Sequence, residues 1–234
     1  MAIRPFLAMT AAEMQNSRRI SAGICWMACH FSPYGLGLSN LPTALPPGSL
    51  LMVDDITPIH GHRPDIIATQ LEQAVQELGC AGVLLDFQRS DCAEAAALAS
   101  SLVTALPCPV AVSDVYAAKL DCPVFLSAPP CNEPPESWFF PWQGREIWLE
   151  LSQSPVQLTV DKSGCQAAPL PSPPYEEGFA DESLLSHYRT EIQEDSAIFT
   201  LWRTREDMDA LLKLAESFGV TRAVGLYQEF EAGI

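Results

Sequence analysis

Short apolar runs alternate along this chain with longer stretches in which apolar residues recur at helical spacing. Runs of this length beside helix-period segments are the pattern of buried parallel strands. The strand candidates are Ile20–His30, Ser49–Ile56, Gly82–Gln88, Pro109–Ser113, Pro123–Ser127, Glu146–Leu151, Ala197–Trp202 and Arg222–Tyr227. Val156–Val160 is expected to pair with the sixth of these as a hairpin. The clearest helix is Pro64–Leu78, where Ile67, Leu71, Ala74, Val75 and Leu78 share a face and Gly79 ends the run. Cys92–Leu106 follows a capping Asp91, with Leu98, Leu102 and Leu106 on one stripe. A helix is expected from Asp181 or Ser183 to about Ile192, and another over Arg205–Phe218 behind Thr204, closed by Gly219. Only about ten residues separate the fourth and fifth strands, fewer than an ordinary crossover needs, so that unit is reduced to one turn near Val115–Leu120. Residues 1–19 read as a weak lead-in. The Pro-rich stretches Phe31–Gly48, Ala128–Gly144 and Cys165–Gly178 read as loops or irregular segments.

Eight strands with helices between some of them predict an α/β fold: a (β/α)8 TIM-barrel-like domain spanning residues 1–234, with some helices reduced or missing. An open doubly wound sheet is the alternative. It is disfavoured because no G-x-G-x-x-G or G-x-x-x-x-G-K-[ST] turn is present.

Composition narrows the function. With 48% hydrophobic and 18% charged residues the 234-residue chain is globular and can bury a full core. Thirteen basic residues against 29 acidic ones give a net charge of −16, which argues against a nucleic-acid groove. The N-terminal apolar stretch is short and broken by Pro5, unlike a secretory signal, and no window is long enough for a membrane helix. The expectation is a cytoplasmic protein that binds neither nucleic acid nor membrane. The eight cysteines stand singly, without a C-x-x-C pair, and read as reduced, mostly buried thiols. No cofactor is expected.

Polar groups at the C-terminal ends of the predicted strands are the candidate site. In Asp86-Phe87-Gln88, strand alternation puts Asp86 and Gln88 on one face and Phe87 on the other. Asp54, Asp55, Asp114, Tyr116, Glu150, Trp202, Tyr227 and Glu229 stand at or near other strand ends. Trp138, Phe139, Phe140 and Trp142 sit in a Pro-rich loop and would either stack on a sugar face or pack the loop down. His60-Gly61-His62 follows Asp54-Asp55 and is a bare H-x-H; solvated loop histidines are the commoner outcome. Cys29 and Cys131 are the candidate thiol nucleophiles, though no motif singles either out.

The segment Ala81–Gln88, AGVLLDFQ, resembles the fourth-strand signature DGxDxDxE of the family 18 glycoside hydrolases, the chitinase-like proteins. Gly82 matches the glycine, Asp86 the last aspartate and Phe87 a commonly aromatic position. Ala81, Leu84 and Gln88 replace the first aspartate, the middle aspartate and the catalytic glutamate. The resemblance implies a barrel that handles carbohydrate. It also implies loss of the usual acid, because an amide carries no transferable proton at working pH. Gln88 can still hydrogen-bond a sugar as donor and acceptor. Three readings follow. The first is a non-catalytic barrel binding a glycan or other small polar ligand through Asp86, Gln88, Asp54, Asp114, Tyr116, Glu150, Trp202 and Tyr227. The second is an active glycosidase using another carboxylate pair, Asp86 with Asp55 or Glu229. The third, less favoured, is a metal-dependent hydrolase at Asp55, His60 and His62.

Overall fold

The computed structural model of the chain describes residues 2–16, 22–170 and 178–230. The chain forms two compact units. The first comprises Met1–Ser127, Arg145–Leu151 and Val220–Ile234, and the second Ala128–Gly144 and Ser152–Gly219.

The first unit is a closed parallel barrel. Its chain order runs β1 (Arg4–Met9), α1 (Ala11–Asn16), β2 (Gly23–Phe31), the two-residue β3 (Leu38–Ser39), β4 (Leu50–Asp54), α2 (Pro64–Leu78), β5 (Gly82–Asp86), α3 (Ala93–Ala105), β6 (Val110–Ser113), α4 (Asp114–Ala117), β7 (Val124–Leu126) and β8 (Ile147–Leu151). The second unit follows in sequence, with α5 (Pro135–Phe139) before β8 and then β9 (Val156–Asp161), β10 (Gly164–Pro169), β11 (Phe179–Asp181), β12 (Ser186–Ile192), β13 (Ser196–Trp202) and α6 (Arg205–Glu216). The chain returns to the barrel as β14 (Val220–Leu226). The neighbour order is β1-β14-β8-β7-β6-β5-β4-β2, and β1 also pairs with β2, which closes the ring. All of these pairings are parallel, and only the short β3 adds antiparallel to β2. This is the (β/α)8 barrel with reduced helices that the sequence predicts.

The barrel interior is filled by Phe6, Ala8, Cys25, Leu50, Met52, Leu84, Ala111, Phe125, Trp148 and Val224. On β4 and β5 the outer face is covered as well, so Leu50, Leu51 and Val53 of β4 and Val83, Leu84 and Leu85 of β5 are all inaccessible. Gly79 ends α2 in the left-handed conformation (φ 64°) as expected. Asp91 does not cap α3: it takes φ 59°, and the N-cap position falls on Cys92 without a side-chain bond. The unit between β6 and β7 is reduced to the four-residue α4. No helix among the described residues is long and apolar enough to cross a membrane.

Several expectations are corrected. The lead-in supplies a barrel strand, β1, because its Phe6-Leu7-Ala8-Met9 run is buried between β14 and β2. The strand predicted to begin at Ile20 starts at Gly23; Ile20 and Ser21 lie outside the described residues. Val156–Val160 does not pair with β8. It lies in the second unit, an antiparallel sheet of order β10-β9-β13-β12-β11. Ala197–Trp202 is β13 of that sheet and not a barrel strand. The predicted helix ending at Ile192 is a hairpin strand, β12, in which Tyr188, Thr190 and Ile192 alternate with His187, Arg189 and Glu191. Part of the segment read as irregular forms β10, and its residues 171–177 lie outside the described residues.

Within the second unit, Thr204 and Asp207 form a reciprocal capping box at the start of α6, and Asp207 also accepts from His187 Nδ1 at 2.7 Å. The buried Arg203 guanidinium donates to the carbonyls of Leu185, Pro129 and Pro130. Phe139 is buried and stacks on Phe218 at 5.4 Å, whereas Phe140 is 68% exposed.

Candidate functional site at the barrel mouth

Counting from β1, β5 is the fourth strand of the barrel, the place to which the resemblance of its sequence assigns it. Side chains alternate along strands, so the next inward positions beyond Met52, Leu84, Ala111, Phe125 and Trp148 are Asp54, Asp86, Ser113, Ser127 and Glu150. These line the C-terminal mouth, where barrels of this kind place their sites. Asp54 and Asp86 are register partners on adjacent strands. Gln88, exposed just past the strand, donates from Nε2 to Asp86 Oδ1 at 2.5 Å. Phe87, between them, is buried on the outer side with its ring 5.7 Å from that of Phe31.

Two carboxyls at the mouth, Asp86 and Asp114, are held above the ordinary carboxylate range. Burial holds Asp86 above its ordinary range; the Gln88 hydrogen bond opposes this, and the Asp54, Asp55 and Asp114 carboxylates add to it. Burial also raises Asp114, which Ser127 Oγ approaches at 3.4 Å. Asp54 is 8% exposed and has a partner that sequence reasoning missed: His30, at the end of β2, donates from Nδ1 at 2.9 Å. Its place beside Asp54 comes from the register of β2 against β4, which the sequence does not carry.

Asp55 points the other way. It is 5% exposed, and its two carboxylate oxygens accept from the backbone N–H groups of Gln88 (3.0 Å) and Arg89 (2.9 Å). It therefore fixes the loop after β5. Tyr116 braces the same loop, donating to the Arg89 carbonyl and accepting from Cys92 N–H at 3.3 Å.

The ends of β4, β5 and β6 thus bring together Asp54, Asp55, Asp86, Gln88, Asp114 and Tyr116. Glu150 lies at the same end of β8. Tyr227 and Glu229 sit in the turn after β14, where the Tyr227 N–H donates to the Ala8 carbonyl. Trp202 is not at a barrel strand end. It is buried in the second unit, its ring 6.0 Å from that of His187. Among the histidines of the loop after β4, His60 is exposed, and His62 donates from Nε2 to the Ser32 carbonyl at 3.0 Å. Among the described residues no group of three or more His, Cys, Asp or Glu side chains is placed to hold a metal ion. Cys29 is buried and its thiol is pushed up to about 12; burial raises Cys131 too, which is opposite to what an activated thiolate needs.

No protein-family model matches the sequence. No curated protein matches it either. Solved structures do match its fold. The chitinase-like agglutinin RobpsCRA from Robinia pseudoacacia superposes with a TM-score of 0.62 at 12% identity, covering 94% of this chain and 93% of that one. A chitinase from Chromobacterium violaceum gives 0.61 at 12% identity, with 99% and 96% covered. A family 18 chitinase from Cycas revoluta, solved in complex with (GlcNAc)3, gives 0.57 at 11% identity, with 95% and 94% covered. At these identities the likeness concerns the fold: the chain is a (β/α)8 barrel similar in architecture to family 18 chitinases and a chitinase-like agglutinin.

Proposed function

We propose that the barrel mouth binds a carbohydrate of the chitooligosaccharide class and does not hydrolyse it by the acid route of family 18 enzymes. The observation that carries this reading is Gln88. Its carboxamide stands against Asp86 at 2.5 Å, where the resemblance places a proton-donating glutamate. An amide can donate and accept hydrogen bonds but cannot protonate a glycosidic oxygen. Asp86, Gln88, Asp54, Asp114 and Glu150 would contact the hydroxyl and acetamido groups, with His30 orienting Asp54. Asp55 and Tyr116 act through the loop that they hold.

The test is a thermal-shift and calorimetric titration with chitooligosaccharides, run beside an assay for new reducing ends. Wild type is expected to gain melting temperature with ligand, Asp86→Ala to lose that gain, and neither to release reducing ends. Absence of a ligand-linked shift in wild type would overturn the binding reading. A second reading has one observation in its favour: a carboxyl that holds its proton above the usual range, as Asp86 does, suits a general acid. Hydrolysis would then use Asp86 with a carboxylate about 5–10 Å away. Asp55 is poorly suited, since both its oxygens are committed to backbone. Reducing ends released by wild type and lost in Asp86→Asn would decide for it.

A further inference from the structure

The N-terminal end of the barrel carries two arginines that the mouth does not use. Arg4 on β1 and Arg222 on β14 are register partners on adjacent strands. Phe6 and Val224, two residues further along each strand, belong to the inner core, so alternation turns both arginines toward the inside of the lower rim. Each guanidinium is seated. That of Arg222 lies 4.0 Å over the Trp148 ring and reaches the Ala81 carbonyl at 3.4 Å. That of Arg4 lies 4.9 Å from the Phe6 ring centre and donates to the Gly48 carbonyl at 3.1 Å. The turn is shaped around it: Gly48 has φ +80°, and a Cβ there would stand 2.9 Å from Arg4 Nη2.

Neither arginine has a carboxylate within ion-pair distance among the described residues. Glu146 is the acidic group that Arg222 feels, but its Oε1 already accepts from Trp148 Nε1 at 2.9 Å and Thr221 Oγ1 at 2.8 Å. Arg222 is therefore partly desolvated beside the exposed Arg4, and the two like charges repel each other. This happens in a chain where acidic residues outnumber basic ones 29 to 13. Beside Arg4 opens a cavity of about 310 Å³ whose walls include Arg4, Gly23, Pro46, Gly48 and Ser49; Arg222, on the adjacent strand, stands behind it.

The geometry points to a small-oxyanion site on the barrel floor, where a phosphate, sulfate or carboxylate group sits in this cavity against Arg4 while Arg222 supplies a second positive charge. A planar, fixed guanidinium fork matches such groups, and the anion relieves the repulsion between the two arginines. The strongly negative remainder of the chain disfavours anions elsewhere.

The experiment is a titration of the full chain with inorganic phosphate, sulfate and acetate at constant ionic strength, with sodium chloride as reference, followed by melting temperature. Phosphate or sulfate is expected to raise the melting temperature saturably above the chloride baseline; a response to acetate alone would assign the site to carboxylates. Arg4→Gln should weaken the apparent affinity by about tenfold or more, the size of one lost charge-assisted hydrogen bond. Lys162→Gln, removing an exposed cation in the second unit, should leave the affinity unchanged. Line broadening of the phosphate phosphorus resonance by wild type, and not by Arg4→Gln, gives a readout independent of unfolding. A response no greater than chloride, or one that is equal in Arg4→Gln, overturns the site.

Discussion

Asp86 binds its proton more tightly in the folded chain than in the unfolded one, chiefly because of burial. Between the ordinary carboxylate pKa of about 3.9 and the raised folded value, the folded chain carries the extra proton. Stability therefore falls as pH rises through that window, and the whole cost is present above it. Asp114 works in the same direction. Asp86→Asn keeps an oxygen that Gln88 can donate to and removes the charge. Its melting temperature is expected to match or trail wild type near pH 4 and to exceed it near pH 8, the gap opening above the unfolded carboxylate range of about 3.9; a pH-independent gap would contradict this. Asp55 follows the opposite logic. Asp55→Ala would strand two backbone N–H groups beside a buried site, and a loss of about 3 kcal/mol in urea denaturation is expected. Which of two adjacent acids faces inward was not legible in the sequence. Every residue from Leu50 to Val53 is apolar and buried, so nothing in the pattern gives the phase of the strand that sets Asp54 inside and Asp55 outside. Asp86 and Gln88 were legible as neighbours because alternation needs no partner strand. His30 was not, since its contact with Asp54 depends on register across a bulged pair.

Most barrel strands buried on both faces were readable, although β1, equally buried over Phe6–Met9, was not. β4, β5, β6, β7, β8 and β14 announce themselves as apolar runs, and α2 and α6 as amphipathic stripes with a Gly stop and a Thr cap. The antiparallel sheet was harder. The Asp181-Glu182-Ser183 signal is real, but it closes a turn: Asp181 Oδ1 accepts from the N–H groups of Ser183 and Leu184, and Leu185 takes φ 48° before β12 begins. The same Asx chemistry serves helix caps and tight turns, and only the partner strand decides between them. β5 illustrates how an element is fixed by its neighbours. Gly82 sits where a Cβ would lie 2.8 Å from both the Pro109 carbonyl oxygen and Trp148 Cη2. The glycine lets the indole cross the barrel floor. Gly82→Ala forces the adjacent strands apart, and an overpacking cost of about 1–3 kcal/mol should lower the melting temperature by roughly 5 °C. An unchanged melting temperature would mean that Trp148 re-seats without strain.

At the scale of the whole molecule the charge is lopsided, and the ion pairs seen among the described residues offset little of it. The net charge is −16. The ion pairs Arg63–Asp65, Lys162–Asp195 and Arg189–Glu191 are exposed, so each is worth little. Other cations serve backbone instead: Arg145 reaches the carbonyls of Ala117, Leu120 and Cys122, and Arg203 those of Leu185, Pro129 and Pro130. These arginines fasten loops through those carbonyls. Long-range repulsion among carboxylates then works against the compact state, over distances that salt screens. Melting temperature at neutral pH should therefore climb by a few degrees as sodium chloride rises from about 0.01 M to about 0.3 M, the range over which the Debye length shrinks from about 30 Å to well under 10 Å. The climb should be steepest at the low end and flatten once the screening length falls below the spacing of surface charges. It should also shrink at mildly acidic pH, where the raised carboxyls at the barrel mouth take up protons first. A melting temperature that falls with salt at neutral pH would mean that attractive pairs outweigh the repulsion after all. The neutral-pH curve also supplies the baseline above which an oxyanion at Arg4 must add its own, saturable, increment.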